Sequence, residues 1–169
     1  IPYKCIRTAF VPMKSKLYYL YLGIVLILAT FLTSNKAAAQ DTDLQRTTIM
    51  QYVIKERPVL AELLTTAGMA PALSGNASYT LLMPPEARLQ ELKGQPVEKI
   101  RAVMAMHLIK GAMTGSDFKE GSRLQNYGGA TLNVCRKKDS TLLNGVQFRT
   151  ADLALRNGVV HEIAGVLQP

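Results

Sequence analysis

The spacing of hydrophobic residues divides the chain beyond residue 46 into a helical part and a strand-rich part. Thr47-Thr48 offers an N-cap, and the apolar residues after it recur every three or four positions and predict two helices separated by Arg57-Pro58. Proline suits the first turn of the second helix, and Gly68 provides a natural end for it. Glu86–Leu92 is also predicted to be helical. The next helix opens at Gln95-Pro96, and its apolar stripe consists of Val97, Ile100, Val103, Met104 and His107.

Short apolar runs bounded by turn residues predict the strands. One run, Tyr79–Met83, lies among the helices and ends at Pro84, because proline cannot donate a ladder hydrogen bond. The others follow residue 107: Leu108–Ala112, Arg123–Tyr127, Thr131–Arg136, Thr141–Leu143, Val146–Leu155 and Val159–Leu167. Since helices come first and strands later, the order favours an α+β domain with an antiparallel sheet over a doubly wound sheet.

The last two runs flank Asn157-Gly158. This dipeptide between alternating apolar residues predicts a hairpin whose turn needs positive φ at both positions. Along the final strand, Val159, His161 and Ile163 point to one side, because successive side chains of a strand alternate. A histidine is therefore expected on an apolar face.

The first 39 residues differ in composition from the rest. Lys14 and Lys16 precede an uncharged apolar run over residues 17–32, and Ala37-Ala38-Ala39 follows it. A basic start, an apolar centre and small residues at the end predict a secretory signal peptide over residues 13–39, cleaved after Ala39. The run is shorter than the ~20 residues of a membrane-spanning helix, and the alternative is an uncleaved N-terminal anchor.

Met13 is a more natural start for such a segment than Ile1, so residues 1–12 are interpreted as an overextension of the start site. Residues 40–46 are mostly polar, and we expect them to be flexible. Residues 47–169 are then expected to form one domain, because a chain of about 130 residues buries roughly two thirds of its unfolded surface.

Charge and cysteine content narrow the functional classes. Residues 1–39 hold five of the 20 basic residues and none of the 12 acidic ones, so the remainder carries a net charge of +3 instead of +8. This modest charge removes the main argument for nucleic acid as a partner. Cys135 is the single cysteine beyond residue 39, so that part of the chain cannot form an internal disulfide. Cys135 is therefore interpreted as an ordinary strand residue.

Two interpretations apply to His107 and His161, the only histidines of the chain. They form a metal or acid–base pair, or they are buried imidazoles hydrogen-bonded to the backbone. The second is favoured, because buried polar atoms need partners and no Cys/His/Asp/Glu cluster has zinc-ligand spacing. The sequence also lacks the Gly-x-Ser-x-Gly elbow and the phosphate-binding loop. We therefore expect no metal, no cofactor and no catalysis.

The densest basic run is Arg136-Lys137-Lys138, at a predicted hairpin tip. It would suit an acidic glycan, a phosphate-bearing surface or another anionic partner. A solvated turn that keeps the tip soluble is the favoured interpretation.

Several segments resemble conserved segments of the fasciclin domain family, in the same order along the chain. The closing hairpin, residues 151–169, is the most specific match, and Tyr79–Pro84 resembles the first conserved box of the family. Met106–Gly111 resembles its Tyr-His segment, and the residues up to Arg57-Pro58 resemble its first helix. The resemblance implies a wedge-shaped β-sandwich with several helices, mainly in the N-terminal half, used as an adhesion or matrix-binding module.

The resemblance also implies site residues. In some animal members the segment around the Tyr-His pair is associated with integrin binding. In this chain Met106-His107 stands in place of that pair, and Lys110 stands in place of the proline that follows it in the family. The candidate binding surface consists of Met106, His107, Arg136, Lys137 and Lys138. The positions with an expected structural role are Pro84, His107, Asn157, Gly158 and His161.

These observations predict an exported, non-catalytic binding or adhesion module, secreted or located in the periplasm or cell envelope. Its expected partner is a protein or glycan of a cell surface or matrix, and its only membrane contact is the signal or anchor segment. One alternative is an envelope component that binds polysaccharide or another envelope protein. Another is a hydrolase whose catalytic residues converge from distant segments.

Overall fold

A computed structural model describes residues 20–22, 24, 43–137 and 140–169. The chain divides into two compact units, Ile1–Thr42 and Asp43–Pro169. In the first unit, residues 20–22 and 24 are helical and exposed, and the remainder of the predicted overextension and signal segment lies outside the described residues. Within the described ranges, no helix combines the length and the apolar character needed to cross a membrane.

The second unit begins with helices whose ends follow the predicted signals. Thr48 caps the first helix through a reciprocal pair of hydrogen bonds with Gln51, and Pro58 starts the second. Val97 is exposed, against the prediction, because its helix contacts the core only from Ile100 onward. The helices are α1 (Ile49–Glu56), α2 (Pro58–Thr66), α3 (Ala70–Ser74), α4 (Glu86–Leu89) and α5 (Val97–Met106), with short 3₁₀ turns at Gln90–Leu92 and Gly115–Asp117.

Every predicted strand is present, with small shifts at the ends. The strands are β1 (Tyr79–Met83), β2 (Leu108–Lys110), β3 (Arg123–Gln125), β4 (Thr131–Lys137), β5 (Ser140–Leu143), β6 (Val146–Leu155) and β7 (Gly158–Ile163). They form one sheet in the order β2-β1-β7-β6-β5-β4-β3. The last strand stops at Ile163 and not at Leu167 as predicted, so the final residues leave the sheet.

The sheet is mixed, so the prediction of an antiparallel sheet is wrong at one pair. β1 and β7 run parallel, with Tyr79 opposite Gly158 and Met83 opposite Glu162. The other pairs are antiparallel. A short hairpin turn forces neighbouring strands to be antiparallel, but strands separated by most of the domain can meet in either direction.

The two ends of the sheet approach each other. Ile109, in β2, forms an antiparallel bridge with Asn126, which directly follows β3. The amide of Tyr127 also donates to the carbonyl of Leu108 across 2.6 Å. The predicted α+β class is therefore confirmed, and its β-part is a single curled sheet that nearly closes into a barrel.

Two hydrophobic clusters stabilise this arrangement, and β1 contributes to both. Leu81 packs among the helices, whereas its neighbour Leu82 belongs to the cluster inside the curled sheet with Phe118 and Leu167. Adjacent residues reach different clusters because strand side chains alternate between the two faces. β1 is thus covered on both sides, which explains its continuous apolar sequence.

The turn of the closing hairpin is displaced by one residue from its predicted position. Leu155 pairs with Gly158, so the turn residues are Arg156 and Asn157, and Asn157 is not among the residues with positive φ. The predicted backbone geometry occurs instead at Asn144 and Gly145, with φ of 45° and 84°.

The Asn157 side chain is buried and connects three distant segments. Its Oδ1 accepts from the amide of Ile49 across 2.8 Å, at the start of α1. Its Nδ2 donates to the carbonyls of Leu73 and Gly75, at the end of α3, across 2.8 and 3.0 Å. Next to it, a Cβ on Gly158 would overlap the carbonyl of Tyr79 on β1. The Asn-Gly pair therefore binds the helices to the sheet.

Candidate functional site

His107 directly follows α5 and is fully buried. Its Nε2 accepts a hydrogen bond from the amide of Leu167 across 3.0 Å, so the proton of the neutral ring is assigned to Nδ1. Nδ1 then donates to the carbonyl of Val103 across 2.8 Å. Burial lowers the pKa of His107 to about 4, because the charged form would lose its hydration, and the Val103 hydrogen bond only partly opposes this.

His161 is also buried, and its neutral ring is the opposite tautomer. Its Nδ1 accepts from the amide of Asp152 across 3.0 Å, so Nε2 carries the proton and donates to the carbonyl of Met113 across 2.8 Å. The rings of Phe118 and Phe148 pack edge-on against the imidazole at 5.3 and 5.2 Å. Burial lowers the pKa of His161 as well, against the opposing effects of the Met113 hydrogen bond and the Asp152 charge.

The two imidazoles hold the backbone in place and have no ring nitrogen left for a substrate or a metal. Each ring joins two segments that are distant in sequence: His107 joins α5 to the final residues, and His161 joins β6 to the loop after β2. Within the described ranges, no group of three or more His, Cys, Asp or Glu side chains is arranged to hold a metal ion.

The structure corrects part of the predicted binding surface. Met106 and His107 are 3% and 0% exposed, so they cannot contact a partner directly in this conformation. The reason is that the end of α5 turns into β2 inside the core. Met106 instead contacts the buried Asn126 from inside the domain, because its sulfur accepts a hydrogen bond from the side-chain amide of Asn126 across 2.9 Å.

The basic run is separate from that segment. Arg136 and Lys137 are exposed at the end of β4, while Lys138 lies outside the described residues. The amide of Arg136 donates to the carboxylate of Glu120, which places an acidic group beside the run. Cys135 precedes it and is also exposed. Those predicted binding residues that the structure describes are thus not gathered into one surface.

Two aromatic side chains lie where the sheet nearly closes. The rings of Tyr79 and Tyr127 are 6.0 Å apart and tilted by 59°. Lys110 is opposite Tyr79 on β2, and its Nζ lies 5.9 Å from the centre of the Tyr127 ring. Tyr127 remains 37% exposed, so the group has an accessible aromatic face beside a cation.

Tyr127 stands between two open clefts. The first, called the β2–β3 cleft, has a volume of about 370 Å³ and is lined by Lys110, Arg123 and Gln125 together with Tyr127. The second, called the α5 cleft, has about 320 Å³ and is lined by Arg101, Ala105, Gly128 and Tyr127. Among the described residues, none of those that line either cleft is acidic.

The sequence pattern does not indicate this surface. The sequence pattern places Tyr127 at the end of a predicted strand, and the two glycines that follow it are typical of a turn. The available signal was an aromatic residue directly before two glycines, together with Lys110 in the position where the family resemblance expects proline. Neither observation indicates a site until the folding of α5, β2 and β3 places the cations around the ring.

The sheet topology and the closing hairpin define a fasciclin-type fold. The family profile described as Fasciclin domain matches residues 55–169, and the chain belongs to this family. In curated proteins, the chain is 31% identical over 112 residues to the transforming growth factor-beta-induced protein ig-h3 of Sus scrofa. This match covers 61% of the chain but only 16% of that relative.

A solved structure has the same fold at lower sequence identity. The FAS1 domain pair from the insect cell adhesion molecule fasciclin I superposes with a TM-score of 0.57. The alignment covers 73% of this chain and 51% of the other, with 14% identity. The similarity supports the fold, and the chain spans about half of that domain pair.

Proposed function

We propose that this protein is an exported binding module of the adhesion type, without catalytic activity. The observation that carries the proposal is the state of the histidines: all four ring nitrogens of His107 and His161 are hydrogen-bonded to backbone groups inside the core. A catalytic imidazole needs a nitrogen that can reach a substrate proton. The related insect structure is described as a cell adhesion molecule, which agrees with this class.

Export belongs to the same proposal. The basic start, apolar run and Ala37-Ala38-Ala39 of residues 13–39 direct the chain to the secretory pathway, and residues 47–169 act outside the cytoplasm. The location is then the exterior, the periplasm or the cell envelope, with an uncleaved anchor as the alternative outcome. The partner is a protein or glycan of a cell surface or matrix.

The proposal is tested by binding arrays with the full chain. Purified protein is applied to arrays of glycans and matrix proteins and to intact cells, and binding to at least one class is expected. Absence of binding to all three would contradict the proposal. In parallel, His161→Ala should lower the melting temperature while the folded fraction still binds. Lost binding at an unchanged melting temperature would instead assign His161 to the site.

A further inference from the structure

The surface around Tyr127 has features that its structural role does not explain. A tyrosine that only closed the sheet would be buried, as Leu108 and Ile109 are. Instead it is 37% exposed and forms the wall shared by the β2–β3 cleft and the α5 cleft. Two adjoining clefts that share one aromatic ring suit an extended ligand better than a single compact molecule.

The charged side chains that line the two clefts beside Tyr127 are positive. Arg101, Lys110 and Arg123 approach from three different elements, and within the described ranges none of them forms an ion pair. Arg101 is held in place because its Nε donates to the carbonyl of Ala67 across 3.2 Å. Cations without ion-pair partners create a positive potential that attracts anions, and none of the described residues that line the two clefts is acidic.

The turn that carries the ring is well ordered by its contacts. Asn126 is buried, and its Oδ1 accepts from the amide of Ala130 across 2.7 Å. A Cβ on Gly128 would lie 3.2 Å from that of Ala105, so the turn packs closely on α5. Gly129 has φ of 86°, which glycine adopts without strain. A preorganised turn loses little conformational freedom when a ligand binds.

We propose that the two clefts form a binding site for an anionic polysaccharide, with Tyr127 packing against the apolar face of a sugar ring. Arg101, Lys110 and Arg123 bind the carboxylate or sulfate groups along the chain. Gln125, exposed beside the ring, supplies a neutral amide for hydroxyl groups. This inference rests on the proposed function, because it names the ligand class and the surface of the same binding module.

A polysaccharide is favoured over an acidic protein for two reasons. The clefts are open, and each has an aromatic wall beside polar groups, which suits the apolar faces and the hydroxyl groups of sugars. Among the described residues, Tyr127 is also the single aromatic side chain that lines either cleft, whereas protein interfaces are typically anchored by clusters of buried aromatic and arginine side chains. An acidic protein remains an outcome of the test and would overturn the assignment.

The experiment measures binding of the full chain to immobilised alginate, with dextran as the neutral polysaccharide and polyglutamate as the acidic polypeptide. We expect binding to alginate only, with an affinity that falls as sodium chloride is raised. K110E/R123E should weaken alginate binding about tenfold or more, which corresponds to about 1.4 kcal/mol. K99E/K119E changes the net charge equally at exposed positions outside the clefts and should change affinity less than twofold.

The aromatic contact is tested separately. Tyr127→Phe keeps the ring and should retain binding, whereas Tyr127→Ala should lower it about tenfold, and circular dichroism melting checks that both variants fold. Equal losses in the two charge-reversed variants, or equal binding to polyglutamate, would overturn the inference. A loss confined to R136E/K137E would move the site to the β4–β5 hairpin and overturn it as well.

The same variants separate the failure of this inference from failure of the proposed function. If the full chain binds cells or matrix proteins but not alginate, and K110E/R123E binds them equally well, only the polysaccharide site is wrong. If the unaltered chain binds no glycan, no matrix protein and no cell, the binding module itself is wrong.

Discussion

The backbone amide of Leu167 donates a hydrogen bond to Nε2 of His107 across 3.0 Å, and this contact joins the final residues of the chain to the end of α5. Leu167 is 1% exposed and packs inside the curled sheet, although it lies beyond the last strand. A histidine is suited to this contact because its neutral ring accepts on one nitrogen while it donates on the other.

Replacement of His107 by alanine should therefore destabilise the fold. The change leaves the Leu167 amide buried without a partner and opens a cavity, so we expect a loss of about 2–4 kcal/mol in the free energy of unfolding. Urea denaturation monitored by circular dichroism measures it. Lys99→Ala, on the exposed side of the same helix, is the control and should cost less than about 0.5 kcal/mol. Equal stability of the two variants would contradict the role of the ring.

The same residue makes stability depend on pH. In the unfolded chain His107 titrates near 6.5, whereas burial lowers its folded pKa to about 4. Between these values the unfolded state binds a proton that the folded state does not, so stability falls as the pH falls from about 6.5 to about 4. The loss is about 3 kcal/mol from His107 alone, and His161, whose pKa is also lowered, acts in the same direction.

This pH dependence is measured by urea denaturation at a series of pH values between 7 and 4. Acidic residues also begin to titrate near the lower end, so the comparison is with His107→Gln, which cannot gain the proton. The variant should be less stable at pH 7 but should lose less stability on acidification. A parallel decline in both proteins would show that other groups cause the acid sensitivity.

The two Asn-Gly pairs should respond differently to substitution. Asn157→Ala removes a buried side chain that serves three backbone groups, so we expect a loss of about 3–5 kcal/mol or failure to fold. Asn144→Ala affects an exposed turn residue with φ of 45° and a hydrogen bond to Asn133, so its expected cost is about 1–2 kcal/mol. Melting temperatures of both variants measure the difference. Similar losses would mean that Asn157 acts only as a turn residue.

Processing of the N-terminal segment is directly measurable. The signal pattern predicts that exported protein begins at Gln40, because Ala37-Ala38-Ala39 provides the small residues that signal peptidase requires. Intact-mass measurement of protein from the exported fraction checks this. Retention of residues 13–39 would establish the N-terminal anchor instead of the cleaved peptide.

The sequence by itself determined the local elements of this protein. The Thr48 cap and Pro58 were readable because each acts on the backbone within a few residues. Likewise, the alternation of side chains along the last strand predicted that His161 lies on an apolar, buried face. The segments that occur in the same order as in fasciclin domains identified the family. The buried, hydrogen-bonded state of both histidines also agrees with the favoured interpretation of the sequence.

Only the tertiary structure decided which distant segments meet. It set the parallel pairing of β1 with β7, and it moved the hairpin turn by one residue because buried partners on α1 and α3 hold the Asn157 side chain. It buried Met106, which the family resemblance places in the candidate binding surface, and it assembled Arg101, Lys110 and Arg123 around Tyr127. Caps and turns depend on neighbouring dihedral angles, whereas these contacts depend on the packing of the whole domain, which no short stretch of sequence contains.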